Sequence, residues 1–319
     1  MLPEAQTPAE NAVIKRLAEN WSRRATVKKT GLVLEDLFEP GRPDYPIGLT
    51  PIWRHPELEN IDENALNRAL LLAALAFHRH SMVIEQEIVC PTFATVVGSD
   101  FSFLEDGNFE SAVAQAAVDE QYHTWMHLNA AQELRRRRPW KFPLRELPVP
   151  AFVSHHRQER AVQATEWQRR LLSLAYMTVT EVSIDAYLKL VADDKIIQPL
   201  NSVTAALHWR DEMCHSSISE ELAKSVFFCV GTEQKDFFMT SMIDAVRVFM
   251  AQDMSTWKRI VVLAGIRDGR RLLNECSEQP DDLRLVRDNS GVHHLWRQLN
   301  DIAGGRYNAM LDDEAVPLV

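Results

Sequence analysis

At 319 residues, 46% hydrophobic and 25% charged, the chain is long enough to bury a sizeable core and has a globular composition. A formal net charge of −10 argues against nucleic-acid binding, and only 11 glycines argue against a turn-dense all-β fold or a glycine-rich nucleotide site. No apolar run approaches the ~20 residues that span a bilayer. The N-terminus has no basic stretch followed by an apolar one, and Cys90, Cys214, Cys229 and Cys276 form no C-x-x-C pair. A reducing cytoplasm, without membrane contact, is therefore the expected location.

Residues 8–28 read as an amphipathic helix with Val13, Ile14, Leu17, Ala18 and Trp21 on one side. Residues 28–56 are punctuated by Pro40, Pro43, Pro46 and Pro51 and should wrap the body rather than cross it. A long helix follows from about Asp62 to Val89. Its stripe Leu71, Leu75, His78, Met82, Glu85 and Val89 steps by four and three, which puts Glu85 in a core line and turns Glu87 away. A carboxylate in such a line needs a partner. The next helix, roughly Asn108 to Arg138, carries Val113, Ala116, Glu120, His123, His127, Ala130 and Leu134. It ends in Arg135–Arg138 before Pro139, Trp140 and Lys141. That run either opposes the negative end of the helix dipole or offers a docking patch to an acidic partner.

A further helix, about Gln163 to Ala192, again holds one glutamate, Glu181, in an apolar line of Leu174, Met177, Ile184 and Leu188. Pro199 opens the last of the set, which runs to about Phe228. Pro91, the Pro139–Pro150 segment and Pro199 should separate these four helices. Beyond Thr232 the chain looks helical to about Leu273, with Asp236–Ala251 and Ser255–Ala264 packing on the bundle. A turn at Pro280–Asp288, a short helix at Gly291–Ile302 and a loosely held tail after Gly304 complete the expectation.

The chemistry gathers in H-W-R-D-E-M-C-H, His208 to His215. At ~3.6 residues per turn, His208, Glu212 and His215 fall within a sector of roughly 60°. Alone, such a face is either a metal site or an ordinary solvated face. Part of the pattern recurs, however, as D-E-Q-Y-H at Asp119–His123. The core polar residues are then a lone Glu85, Glu120 with His123, a lone Glu181, and Glu212 with His215. One glutamate from each of two helices and Glu-x-x-His from each of two others is the ligand arrangement of di-iron and di-manganese carboxylate bundles. Both metals accept these donors, so the pattern leaves iron and manganese open. Asp119 and Asp211 each sit beside a candidate ligand and could accept a ring N–H from the histidine of the opposite helix.

These residues resemble the p-aminobenzoate N-oxygenase (AurF-like) family of non-haem di-iron oxygenases. The resemblance is carried by E-Q-E-I-V-C-P at Glu85–Pro91, V-D-E-Q-Y-H-T-W-M-H at Val118–His127, T-E-V-S-I-D at Thr180–Asp185, and I-Q-P-L-N-S through L-H-W-R-D-E-M-C-H-S-S-I at Ile197–Ile218. The similarity extends from R-R-A-T-V near Arg23, through P-D-Y-P at Pro43–Pro46, to L-V-R-D near Leu285. It implies an all-α, ferritin-like four-helix di-iron bundle with additional N- and C-terminal helices. The expected organisation is one domain over 1–319, with a wrapping segment at 1–61, the metal-binding bundle at 62–228, and packing helices and tail at 229–319. It also implies two iron ions, dioxygen as co-substrate, an external electron donor, a homodimer, and oxidation of an amine nitrogen in natural-product biosynthesis. The ligands carried over are Glu85, Glu120, His123, Glu181, His208, Glu212 and His215, with His208 at the position of the family's third histidine.

One position departs from the family pattern. Where the p-aminobenzoate enzyme carries an arginine five residues before the first glutamate ligand, this chain has His80, with Arg79 facing elsewhere. Histidine cannot form the bidentate fork that arginine gives a carboxylate. A free amine of another shape, or an amino acid tethered to a carrier protein, fits better. Phe77, His80 and His127 are the candidate pocket residues; His127 reads as pocket lining or a group behind a ligand, with direct ligation as the alternative. A di-iron C–H hydroxylase or desaturase and a non-enzymatic metal-binding bundle are the competing functions.

Overall fold

The computed structural model describes residues 8–29, 33–98, 107–276 and 291–308. Among them every regular element is helical and none is a strand. Helix α1 (Pro8–Arg24) is followed by short 3-10 turns through Asn60, so the described residues from Pro8 to Asn60 form a strap over the remaining helices. Proline explains the strap: each ring fixes φ and removes a donor, and among the described residues no α-helix develops between Arg24 and Glu63.

The bundle is formed by α2 (Glu63–Ile84), α4 (Gly107–Arg137), α6 (Glu166–Asp193) and α7 (Pro199–Cys229). Helix α2 starts where Asp62 accepts from the Ala65 amide, α6 where Thr165 and Gln168 cap each other reciprocally, and α7 on Pro199. Helix α6 packs along α7, α2 along α4, and α4 along α7, while α1 lies across α4.

Pro91 does not break the chain as expected. Helix α2 runs through a π-helical turn, Glu85–Val89, straight into α3 (Cys90–Val97), with Pro91 in the first turn of α3. A proline there gives up an N–H that a helix start leaves unsatisfied anyway. The helix expected from Gln163 begins at Glu166, and a separate helix α5 (Ala151–Val162) precedes it. The region after Thr232 divides into α8 (Thr232–Met250), α9 (Met254–Ala264) and α10 (Gly269–Glu275). Gly265 at φ 73° and Asp268 at φ 54° make the bend between the last two. Helix α11 covers Val292–Ile302.

The turn expected at Pro280–Asp288 lies outside the described residues, as does the tail from 309. Residues 304–308 are not loosely held: Tyr307 is buried and, with Arg306, bonds to Asp236 of α8. The arginine run is engaged internally. Arg136 and Arg137 bond to Glu133, and Arg138 bonds to Asp44 and the Pro40 carbonyl of the strap.

Two apolar cores fill the bundle, one at each end. Leu70–Phe77 of α2, Ala130–Leu134 of α4 and Leu188–Ala192 of α6 belong to one. Ile88–Phe93, Val113–Ala116, Leu171–Val182 and Ile218–Phe227 belong to the other. Between them lies a layer of buried polar side chains: Glu85, Glu120, His123, Glu181, His208, Glu212 and His215.

Candidate metal centre

Each Glu-x-x-His places its carboxylate and imidazole one turn apart on an inward face. On α4, His123 Nδ1 lies 3.0 Å from Glu120 Oε2 and 3.5 Å from Glu212 Oε1. On α7, His215 Nδ1 lies 3.3 Å from Glu212 Oε1 and 2.5 Å from Glu120 Oε1, with Glu181 Oε2 at 3.8 Å. His208 Nε2 is 2.9 Å from Glu212 Oε1 and 3.5 Å from Glu85 Oε1. Ligand atoms of Glu85, Glu120, His123 and His208 lie within 4.8 Å of one another, and so do those of Glu120, His123, Glu212 and His215. The two groups share Glu120 and His123, so the donors form one continuous cluster of the residue types that paired-metal carboxylate bundles use.

The histidines are braced from behind in a reciprocal pattern. His123 Nε2 lies 3.2 Å from Asp211 Oδ2 on α7, and His215 Nε2 lies 3.2 Å from Asp119 Oδ2 on α4. The strap completes both braces: Trp21 Nε1 donates to Asp119 at 2.9 and 3.0 Å, and the Thr26 amide donates to Asp211 at 3.2 Å. Neither Trp21 nor Thr26 carried a role in the sequence reading: the first read as an ordinary apolar-face residue, and the second, although inside R-R-A-T-V, acts through its backbone.

Within the layer the buried acids and bases set one another's ionisation. Burial and the carboxylates Glu120 and Glu212 push the Glu85 carboxyl well above its ordinary range, and burial with Glu212 and Glu120 does the same to Glu181. Burial alone would raise Glu120 too, but His215 and His123 override it and hold Glu120 well below. Burial would lower His123, yet Glu120 and Asp211 bring it up to about 10, and Glu120 and Glu212 likewise hold His215 well above its ordinary range. Among the described residues, Glu85 Oε2, Glu181 Oε2 and Glu212 Oε2 are buried carboxylate oxygens for which no hydrogen-bond partner is in reach. Buried carboxylate oxygens without a proton donor, beside imidazole nitrogens, are the donor set that a pair of divalent ions requires, so these residues fit a metal.

A cavity of about 240 Å³ opens on this layer and is lined by Glu85, Glu181, His208 and Glu212. Phe77 and His80 line it, as expected of them. His127 does not. It is fully buried behind His208, with Nε2 at 2.8 Å from His208 Nδ1, so of its two expected places it occupies the one behind a ligand. Tyr45, Tyr187, Gln252 and Asp253, which sequence reasoning missed, also line the cavity. They come from the strap, α6 and the α8–α9 corner, which converge only in the fold. Among the described residues no lysine or arginine lines the cavity. Burial pushes His80 down to about 4 despite Asp253, so it is neutral, and Arg79 is turned away to the Pro148 carbonyl.

The family described as "P-aminobenzoate N-oxygenase AurF" matches residues 7–300 of the chain. The chain belongs to this family. A 4-aminobenzoate N-oxygenase of Streptomyces thioluteus is 30% identical over 293 residues, covering 91% of this chain and 86% of the relative. The AurF family is one of oxygenases on a helical ferritin-like di-iron fold, and the all-helical bundle and its buried glutamate–histidine layer agree with it. The match covers the strap as well as the bundle. Among the described residues no helix is long and apolar enough to cross a membrane.

Proposed function

We propose that this di-iron N-oxygenase binds two iron ions through Glu85, Glu120, His123, Glu181, His208, Glu212 and His215 and oxidises a small amine whose carboxyl group is masked. The observation that carries the reading is the meeting of the glutamate–histidine layer with an apolar cavity that has no cationic lining residue. Two irons held there supply the redox step that makes dioxygen an oxidant for nitrogen, with an external electron donor. The residues do the rest. Glu85 and Glu181 face both the cavity and the layer, His208 would add a third imidazole to the two Glu-x-x-His pairs, and Asp119 and Asp211 orient the two remaining histidines. The apolar walls exclude water from the amine.

Substrate choice follows from the far side of the cavity. A free carboxylate would find neutral His80 and the Asp253 carboxyl there, and no guanidinium. A carbonyl oxygen of an ester, amide or carrier thioester would instead meet Gln252 Nε2, a buried donor with no partner. Carrier-tethered amino acids belong to that class, and their use would place the enzyme in secondary-metabolite biosynthesis. The whole chain works as one unit, since the strap's donors reach the braces. A reducing cytoplasm suits four free cysteines.

The test is to load the protein with iron, reduce it anaerobically, admit oxygen, and identify products from p-aminobenzoate, its amide, and free and carrier-loaded amino acids. Nitrogen-oxidised products are expected, with the masked substrates converted faster than p-aminobenzoate. Efficient conversion of p-aminobenzoate that is lost in His80→Ala would overturn the substrate class. Carbon-hydroxylated products would point to the hydroxylase alternative, and uptake far beyond two irons per chain to a storage bundle.

A further inference from the structure

Behind His208, on the side away from the carboxylates, lies an unbroken line of imidazoles. His208 Nδ1 is 2.8 Å from His127 Nε2, and His127 Nδ1 is 2.9 Å from His78 Nδ1. His78 Nε2 is 2.9 Å from Asn201 Oδ1, and Asn201 Nδ2 donates to the Asp44 carbonyl at 2.5 Å. The four side chains are 1% exposed or less. Three polar rings in a row within a bundle core are expensive unless each finds partners, and apolar side chains of similar size would fill the same space.

Hydrogen positions in this line follow from its far end. A backbone carbonyl only accepts, so the Asn201 amide nitrogen must face Asp44 and its oxygen must face His78. That oxygen only accepts, so His78 Nε2 carries the proton. Two ring nitrogens 2.9 Å apart share one proton, not two. His78 Nδ1 is therefore the acceptor, His127 donates from Nδ1 and accepts at Nε2, and His208 donates from Nδ1. The count closes: three contacts hold three protons for three neutral rings. The nitrogen left bare is His208 Nε2, the atom facing Glu212 and Glu85.

We propose that His127, His78 and Asn201 are positioning residues, and that their line of hydrogen bonds, anchored on the strap's Asp44 carbonyl, fixes His208 as the Nδ1–H tautomer with its Nε2 lone pair presented to a metal. The inference rests on the metal-centre reading above. It separates His208 from the other two histidines, which are each oriented by a carboxylate in direct contact. A carboxylate accepts whatever ring N–H faces it. An imidazole accepts only if its own opposite nitrogen carries the proton, so the tautomer of His208 depends on groups two and three residues further along the line.

The experiment uses full-length protein with 15N-labelled histidine and Zn²⁺ as a diamagnetic probe, with tautomers read from long-range ¹H–¹⁵N correlations. His127 and His208 should carry their protons on Nδ1, and His78 on Nε2. A His127 ring protonated at Nε2 would overturn the proposal, since His208 could not then donate to it. Zn²⁺ affinity and the visible spectrum of the Co²⁺ form give a second readout. His127→Leu keeps the space filled but removes both bonds, and should weaken binding about 10- to 100-fold and alter the Co²⁺ spectrum as an imidazole is lost. His127→Gln can accept from His208 and donate to His78, and should stay within about threefold of wild type. A purely packing role predicts the reverse order, with leucine tolerated and glutamine harmful. Wild-type affinity in His127→Leu with wild-type tautomers elsewhere would sink the line alone, whereas wild-type protein that takes up neither Zn²⁺ nor Co²⁺ would sink the metal centre with it.

Discussion

Replacing Asp119 by asparagine tests whether the braces act on the centre or merely on the fold. Asp119 is fully buried and presents two acceptor oxygens: Trp21 Nε1 approaches both, at 2.9 and 3.0 Å, and His215 Nε2 approaches Oδ2 at 3.2 Å. Asparagine has one acceptor oxygen. Placed where Oδ2 was, it keeps both donors in reach but turns its NH₂ toward the indole N–H. A hydrogen bond to a charged group contributes about 1.5–3 kcal/mol and a neutral one about 0.5–1.5, so each of the two contacts loses about 1–1.5 kcal/mol. The share at Trp21 appears as lost stability of the strap. The share at His215 appears as lost metal affinity, about tenfold, since about 1.4 kcal/mol is a factor of ten. Competition against a chromogenic chelator measures the second, and urea unfolding of the metal-free protein the first. A variant that loses stability but binds Zn²⁺ within twofold of wild type would refute the coupling of Asp119 to the centre.

Three further outcomes are expected. His208→Ala retains most of its iron, because four carboxylates and two imidazoles remain, yet loses amine oxidation; metal analysis beside product analysis checks this, and full activity would remove the case for His208 as a functional ligand. His156, buried against Ser173 of α6, is pushed down to about 4 by burial and by Arg160 and Arg157, so the unfolded chain binds more protons below about pH 6.5 and the stabilisation, complete above that pH, is lost as pH falls towards 4. At about 1.36 kcal/mol per pKa unit the loss reaches about 2 kcal/mol by pH 5, and His156→Gln should flatten the melting curve between pH 7.5 and 5, parallel curves being the refuting result. Arg138→Leu leaves Asp44 buried without its ion pair and frees the Pro40 carbonyl, and should cost about 3–5 kcal/mol in urea unfolding, largely recovered when Asp44 is also made leucine.

The bundle was legible because its signal is periodic. Glu85, Glu120, Glu181 and Glu212 stood in apolar lines at helical spacing, and the fold puts all four between its two cores. The reach of Asp119 and Asp211 across to the opposite histidines was legible for the same reason, once two helices were set side by side. The π-helical turn at Glu85 was not, since one extra residue in a turn leaves no mark on a stripe that already steps by three and four. Helix α5 was missed because its inward face is little more than Phe152, Val153 and His156. His78 sat in plain view in the α2 stripe. Its meaning depends on His127 and Asn201, 49 and 123 residues away, and no periodicity reports such distances.

The strap has a consequence for the order of assembly. It leaves the ribosome before the helices it joins, yet Trp21 finds Asp119 98 residues later, and the Thr26 amide finds Asp211 after 185. Asp44 must likewise wait for Asn201, 157 residues on. Contacts of such sequence separation close late, after the helices they join have formed. A nascent bundle can therefore gather every candidate ligand before the groups that orient those ligands have arrived. Metal offered at that stage meets rings free to turn, and metal offered after closure meets rings already aimed. On the proposed metal-centre reading the N-terminal segment would act as a finishing clamp, closing after the ligands have gathered.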